Sequence, residues 1–396
     1  MKKLFILFIT LLVSLSSNAY TWNSLGADTA NITRICFAVA MPYHALCSDG
    51  GFYLYNYGTN ACGFVEAMPV AGVAYFNQDK VLVAQGMGTF SDGVYTYDIQ
   101  THQFEVMEWY VYPTFLNHHQ PTQTYWMGNQ WDGMMNSSDG VSWGNVPFFN
   151  AKPCLSFADY GQHMVVTAIS GLSNIYWSPD SGTDWYHVED FPGITDMSFA
   201  PDGMLYGVCP GTSATSGLYL SEDYGETWQL MFQNDNLSTV GVDAFGDIFV
   251  GWKDNGGLAR YDPNAPPPGF TYFNSGLPNL NINRIQLNPT MSAAALFVST
   301  EGGAWYSMDY MVGIEYPEQH KFEVSVFPNP ADDKFHIRSE VEIHSILLVS
   351  FAGGMVFASD IYNTESDIDV SSLLPGVYIF NYIADNASGS KKVMIR

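Results

Sequence analysis

The sequence is short of positive charge. Its 396 residues hold 14 Lys and Arg against 39 Asp and Glu, a formal net charge of −25 at pH 7. Such a field repels nucleic acid and anionic membranes, which excludes both as partners. Neutral glycans, cations and basic proteins stay compatible. Helical periodicity is missing throughout, so a helix bundle is excluded. No run after the first twenty residues is long and apolar enough to span a bilayer, so no transmembrane segment is expected in the mature chain. The five cysteines (Cys36, Cys47, Cys62, Cys154 and Cys209) form no CxxC pair, which argues against a zinc site.

What is present favours short strands. Apolar residues make up 47% of the chain and aromatics 15%, with 25 Tyr and 26 Phe. The 36 Gly and 20 Pro call for frequent turns. Lys2 and Lys3 precede an apolar run, Leu4 to Leu15, and small residues close it at Ser17 and Ala19. Residues 1–19 therefore read as a secretory signal. Export through an oxidising compartment would let Cys36 bridge Cys47 or Cys62, and the odd count leaves at least one thiol over. Spacing alone leaves the pairing open.

A repeat of about 40–45 residues runs through the chain. "SSDGVSW" at 137–143, "SPDSGTDW" at 178–185 and "SEDYGETW" at 221–228 align directly. A short strand-like run precedes each and recurs elsewhere without the acidic box. Taking Leu54, Thr96, Asn136, Trp177, Leu220, Arg260 and Trp305 as equivalent gives seven units. Two more strand-like runs lie upstream in each unit, and a fourth follows, as in "TWQLMF" at 227–232. Four short strands per unit make a propeller blade. The fold class expected is all-β: a seven-bladed β-propeller over residues 20–310, then a small Ig-like β-sandwich. "TWNSLGADTANITRICF" at 21–37 is similar to "TWQLMFQNDNLSTVGVD" at 227–243, so the strand after Trp22 is expected to complete the seventh blade. Residues 310–316 compete for that place.

The boxes resemble the Asp-box, or BNR repeat, of sialidases and other propellers. The structural box residues are Ser137, Asp139 and Trp143; Ser178, Asp180, Gly182 and Trp185; and Ser221, Asp223, Gly225 and Trp228. Their side chains suit a tight turn, so these aspartates read as structural. The resemblance places such turns between third and fourth strands, away from the usual ligand face.

Residues 311–321 read as a polar linker. Beyond it, "FPNPA" (Phe327 to Ala331), Leu-Pro-Gly-Val-Tyr (Leu374 to Tyr378) and the basic strand Lys391 to Arg396 occur in order. Residues 322–396 look like the type A sorting domain of type IX secretion in Bacteroidetes. That resemblance implies the type IX machinery as a partner, passage across both membranes of a Gram-negative cell, and removal of the domain. The chain is then secreted or held on the outer cell surface.

The ligand face of a propeller is formed by loops joining outermost to next innermost strands and second to third strands. Those loops, at 108–120, 128–134 and 251–257, present Trp109, Tyr110, Tyr112, His118, His119, Trp131, Asp132, Trp252, Lys253 and Asp254. Aromatic faces beside carboxylates suit sugar rings, so a glycan or a surface protein is the expected ligand. Adjacent histidines on a strand point oppositely, so no metal or other cofactor is expected there. The acidic loops leave calcium open, although no EF-type sequence occurs.

Two enzyme readings compete. Sialidase chemistry needs an arginine cluster, and Arg34, Arg260 and Arg284 fall in units one, six and seven, which adjoin in a closed ring. The Phe-Arg-Ile-Pro element of sialidases is absent, since Arg34 sits in "TRICF", and sialidases have six blades. An endoglycanase-like hydrolase needs two facing carboxylates, which composition alone does not exclude. The leading expectation is a non-catalytic binding module. The alternative is a secreted glycoside hydrolase with unassigned catalytic residues.

Overall fold

The computed structural model describes residues 22–37, 43–56, 59–77, 79–86, 92–109, 111–170, 172–188, 193–243, 246–262, 269–287, 296–307, 324–350, 355–371, 373, 375–384 and 387–396. The expected signal segment, the linker at 311–321, Tyr110 and the competing strand at 310–316 lie outside the described residues.

Among the described residues, seven four-stranded antiparallel sheets follow one another along the chain. The first is Ile32–Phe37, Tyr43–Ser48, Phe52–Asn56 and Ala61–Glu66. The second is Val70–Tyr75, Lys80–Gln85, Gly93–Asp98 and Gln103–Trp109. The third is Pro113–His119, Thr124–Asn129, Gly133–Ser137 and Gly144–Asn145. The fourth is Cys154–Tyr160, His163–Ser170, Leu172–Ser178 and Tyr186–Val188. The fifth is Asp196–Phe199, Leu205–Cys209, Gly217–Ser221 and Gln229–Gln233. The sixth is Leu237–Val242, Ile248–Trp252, Gly257–Tyr261 and Phe270–Tyr272. The seventh joins Ile282–Leu287, Leu296–Thr300 and Gly303–Ser307 to Asn23–Ser24 from the start of the chain.

Each middle strand buries both faces, because successive side chains point to opposite sides of a strand. Val81 and Val83 enter a core shared with the first sheet, and Leu82 and Ala84 enter one shared with the third. Seven such apolar clusters lie between successive sheets, and the last joins Phe297 and Ala304 of the seventh sheet to Ile32, Ile35 and Leu46 of the first. Two-sided burial explains the near-continuous apolar runs in these strands.

The first strand of each sheet touches the first strand of the next, and Ile282–Leu287 touches both Leu237–Val242 and Ile32–Phe37. A register shift recurs near the start of this strand, between Ile32 and Arg34, Val70 and Gly72, Pro113 and Phe115, Cys154 and Ser156, Leu237 and Thr239, and Ile282 and Arg284. The skipped residue can latch onto the next sheet. Ser238 Oγ donates to the Ile282 carbonyl at 2.7 Å, and Asn283 Nδ2 to the Ile32 carbonyl at 2.7 Å. Thr114 Oγ1 donates likewise to the Cys154 carbonyl.

The start of the chain completes the seventh sheet. Asn23 pairs with Tyr306 and Ser24 with Trp305, Leu25 N–H donates to the Ala304 carbonyl, and Trp22 Nε1–H donates to the Phe273 carbonyl at 3.2 Å. Without this strand the seventh sheet would carry an open edge. All seven repeat positions chosen from the spacing lie in third strands. The helical piece among the described residues is one 3-10 turn, Pro147–Phe149.

The C-terminal strands are Val324–Phe327, Lys334–Ser350, Met355–Asp369, Gly376–Ala384 and Ala387–Ile395. Lys334–Ser350 shifts register between Arg338 and Ile343, so its first half pairs with Val324–Phe327 and its second with Gly376–Ala384. Phe335, Ile337, Leu348, Phe380 and Val393 share a fully buried core.

Candidate functional site

The register shift marks one position in six of the first strands, and Asp196 of the fifth sheet, which has no such shift, joins them through its bonds to Thr239 and Arg284. Together Arg34, Gly72, Phe115, Ser156, Asp196, Thr239 and Arg284 occupy one layer near the start of these strands. Arg284 reaches across the sixth sheet to Asp196, with Nη2 to Oδ1 at 2.6 Å. The other oxygen of Asp196 accepts from Thr239 Oγ1 at 2.5 Å and from Val240 N–H at 3.3 Å. Thr239 Oγ1 accepts in turn from Ile285 N–H at 3.0 Å. These bonds satisfy strand groups that neighbouring sheets leave unpaired.

Arg34 stands beside Arg284 and has no ion pair among the described residues. Burial, then the Arg284 charge, pulls its pKa down to about 10. It stays cationic at neutral pH. Ser156, in the same layer, is fully buried, and its hydroxyl and that of Thr167 opposite have no partner among the described residues. The layer thus offers two guanidinium groups, one committed carboxylate and free hydroxyls.

Arg260 does not join them. It lies on a third strand and pairs with Asp247 at 3.5 Å, by the turn at the opposite end of the sheet. The expected three-arginine cluster is therefore a pair. Ring position alone did not decide this, because the end of the strand on which a residue falls matters as much as its blade.

On the loop face Trp131 is 59% exposed at the turn after Thr124–Asn129. Asn129 Oδ1 holds that turn by accepting from Trp131 N–H and Asp132 N–H at 2.9 and 3.2 Å. Asp132 is exposed, and half-buried Tyr112 meets Trp131 edge to face at 6.3 Å. Lys253 and Asp254 occupy an exposed turn of the sixth sheet, where Asp254 takes φ of +56°. Trp252 belongs to the core instead. It is 7% exposed, donates to Asn234 Oδ1 at 2.8 Å, and packs on Phe270 and Tyr272. Trp109 ends the strand Gln103–Trp109.

The histidines are not on this face. Pro113–His119 is an innermost strand, and His118 and His119 close its far end. His118 packs on Tyr125 at 4.5 Å. Buried His119 donates from Nε2 to the Gly161 carbonyl and accepts at Nδ1 from Thr122, both at 2.7 Å. At the same end, burial pushes the Asp159 carboxyl up while Asn117 donates to it at 2.9 Å. Among the described residues, no group of three His, Cys, Asp or Glu is placed to hold a metal. Sequence reasoning missed Asp196 and Thr239, although a direct alignment of "ITDMSFA" and "INRIQL" sets Asp196 opposite Arg284.

The acidic boxes are occupied by their own turns. Asp139 Oδ1 accepts from Ser137 Oγ, Val141 N–H and Ser142 N–H at 2.9, 2.8 and 2.7 Å. These bonds, the Ser142 amide foremost, hold its pKa down to about 2. Asp180 accepts from Ser178 Oγ and Asp184 N–H, and Asp223 from Ser221 Oγ and Thr227 N–H, at 2.8–2.9 Å. Each box tryptophan donates from Nε1 to its glycine carbonyl, Trp143 to Gly140, Trp185 to Gly182 and Trp228 to Gly225. Gly182 has φ of +85°, and a Cβ there would stand 2.5 Å from Trp126 of the preceding sheet. The boxes therefore join blades.

Residues 325–396 match the secretion system C-terminal sorting domain. No curated protein matches the chain. Among solved structures, the chain is similar to PorZ, an essential bacterial surface component of the type-IX secretion system of Porphyromonas gingivalis. The TM-score is 0.51 and the identity 13%, over 93% of this chain and 59% of that one. It is similar to the GH74 xyloglucanase of Xanthomonas campestris, with TM-score 0.59 and 13% identity over 82% and 60%. It is also similar to the extracellular domain of a putative one component system from B. thetaiotaomicron, with TM-score 0.58 and 12% identity over 94% and 52%. The chain spans less than two thirds of each, and at these identities the likeness is one of fold. No helix among the described residues is long and apolar enough to cross a membrane. This chain is an all-β protein of propeller fold that carries a type IX secretion sorting domain at its C-terminus, which marks it for secretion or the outer surface.

Proposed function

We propose that the chain is a seven-bladed, Asp-box propeller that binds glycan at the cell surface without turning it over. Residues 1–19 are its export signal, and residues 322–396 fold as an Ig-like sandwich read by the type IX machinery. The observation carrying the binding role is the turn that presents exposed Trp131 beside Asp132, with Tyr112 edge-on to the indole. An indole face packs the C–H face of a sugar ring, and an adjacent carboxylate accepts its hydroxyls. Arg34 and Arg284 supply cations near the same end of the innermost strands. The box aspartates are spent on turns, which removes them as catalytic candidates.

A glycan array and a hydrolase panel on the purified mature chain test this reading. Binding without turnover is expected. Turnover abolished by a single Asp or Glu substitution on the loop face would make the protein a glycoside hydrolase instead.

A further inference from the structure

We propose that Cys36 and Cys47 close into a disulfide during export, and that Cys62, Cys154 and Cys209 stay reduced. Cys36 Sγ lies 3.7 Å from Cys47 Sγ. Cys36 is opposite Ala45 and Cys47 opposite Arg34 in neighbouring strands, so the two cysteines are diagonal neighbours. Both side chains face the core shared with the second sheet, against Val73 and Leu54. A small cavity lined by Cys36, Ala45, Leu54 and Val81 adjoins the pair and gives the Cys36 sulfur room to turn. Forming the bond requires the sulfurs to close from 3.7 Å to about 2 Å.

The other cysteines are placed elsewhere. Cys62 is on the outermost strand of the first sheet and packs on the opposite side, against Gly26 and the core shared with the seventh sheet. Cys154 and Cys209 belong to the fourth and fifth sheets. The geometry thus selects Cys47 over Cys62.

The setting also favours the reaction. The hydrogen bond with Cys47, helped by the Arg34 charge and the Val73 amide, outweighs burial and brings the Cys36 thiol down to about 7. A thiol titrating near ambient pH is the better attacking group in exchange. The oxidant is the disulfide of a periplasmic thiol oxidase. Cys36 thiolate attacks one carrier sulfur, forming a mixed disulfide and releasing the carrier's second sulfur as thiolate. Cys47 gives up its proton and attacks Cys36 Sγ, forming the internal bond and releasing the remaining carrier thiolate. Two protein thiols lose two electrons and two protons, and one carrier disulfide becomes a dithiol.

The test is alkylation of the full exported chain in denaturant, before and after reduction. Cys36, Cys47 and Cys62 share one tryptic span between Arg34 and Lys80, so chymotryptic cleavage is needed to separate them. Alkylation of Cys62, Cys154 and Cys209 alone is expected, with the Cys36 and Cys47 peptides linked until reduction adds two hydrogens. Cys36→Ser should add Cys47 to the alkylated set. Because labelling follows denaturation, the readout does not depend on a folded variant. Alkylation of all five cysteines in the exported wild type, or a link that contains Cys62, would overturn the proposal.

Discussion

At the scale of single residues, the same side-chain type serves opposite ends. Asp196 is 5% exposed and answered by Arg284, whereas Asp139 is exposed and answered by backbone amides. Removing one partner of a buried pair leaves an uncompensated charge. Arg284→Gln should therefore destabilise the protein by about 3 kcal/mol in denaturant unfolding, and adding Asp196→Asn should recover part of that. Additive losses would show that the pair is not coupled. The box carboxylates predict a pH effect of definite sign. The folded pKa of Asp139 lies below the ordinary carboxylate value of about 4. Its contribution is thus present above pH 4 and is lost as pH falls through about 2. The urea midpoint of wild type should exceed that of Asp139→Asn at pH 5, and the gap should close toward pH 2. A gap constant over that range contradicts the assignment.

At the scale of elements, the strands were legible because their chemistry repeats. Leu54, Thr96, Asn136, Trp177, Leu220, Arg260 and Trp305 all stand in third strands, and "INRIQL" is the seventh innermost strand as read. The destinations of side chains were less legible. A one-residue register shift reverses which side a residue faces, and nothing in a single strand's composition marks it. Trp252 illustrates this: its sequence setting suggests a loop aromatic, yet it ends a strand and turns into the core. The run at 108–120 looks like a loop from its sequence, yet most of it is strand, so His118 and His119 fall at the opposite end. The N-terminal strand was legible through its similarity to "TWQLMF". Deleting residues 20–25 should expose the Gly303–Ser307 edge, which hydrogen exchange would register as faster exchange of Trp305 and its neighbours. Unchanged protection there would mean that another segment closes the sheet.

At the scale of the whole molecule, address and scaffold are separable. The sorting domain has its own apolar core, built from residues 324–395, and the propeller cores draw on residues 25–305. Removing residues 322–396 should trap the protein in the periplasm of a type IX-competent host, and surface labelling of that truncation would refute the sorting role. The fold leaves one end of the ring to the acidic boxes and the other to Trp131, Asp132, Lys253 and Asp254. The glycan site we propose lies in that second set of loops. The most direct measurement compares glycan affinity of Trp131→Ala with that of Asp180→Ala in the full mature chain. The account predicts about a tenfold loss for Trp131→Ala with unchanged thermal stability, and unchanged affinity with lowered stability for Asp180→Ala. Loss of affinity in Asp180→Ala alone would place the ligand on the box face and contradict it.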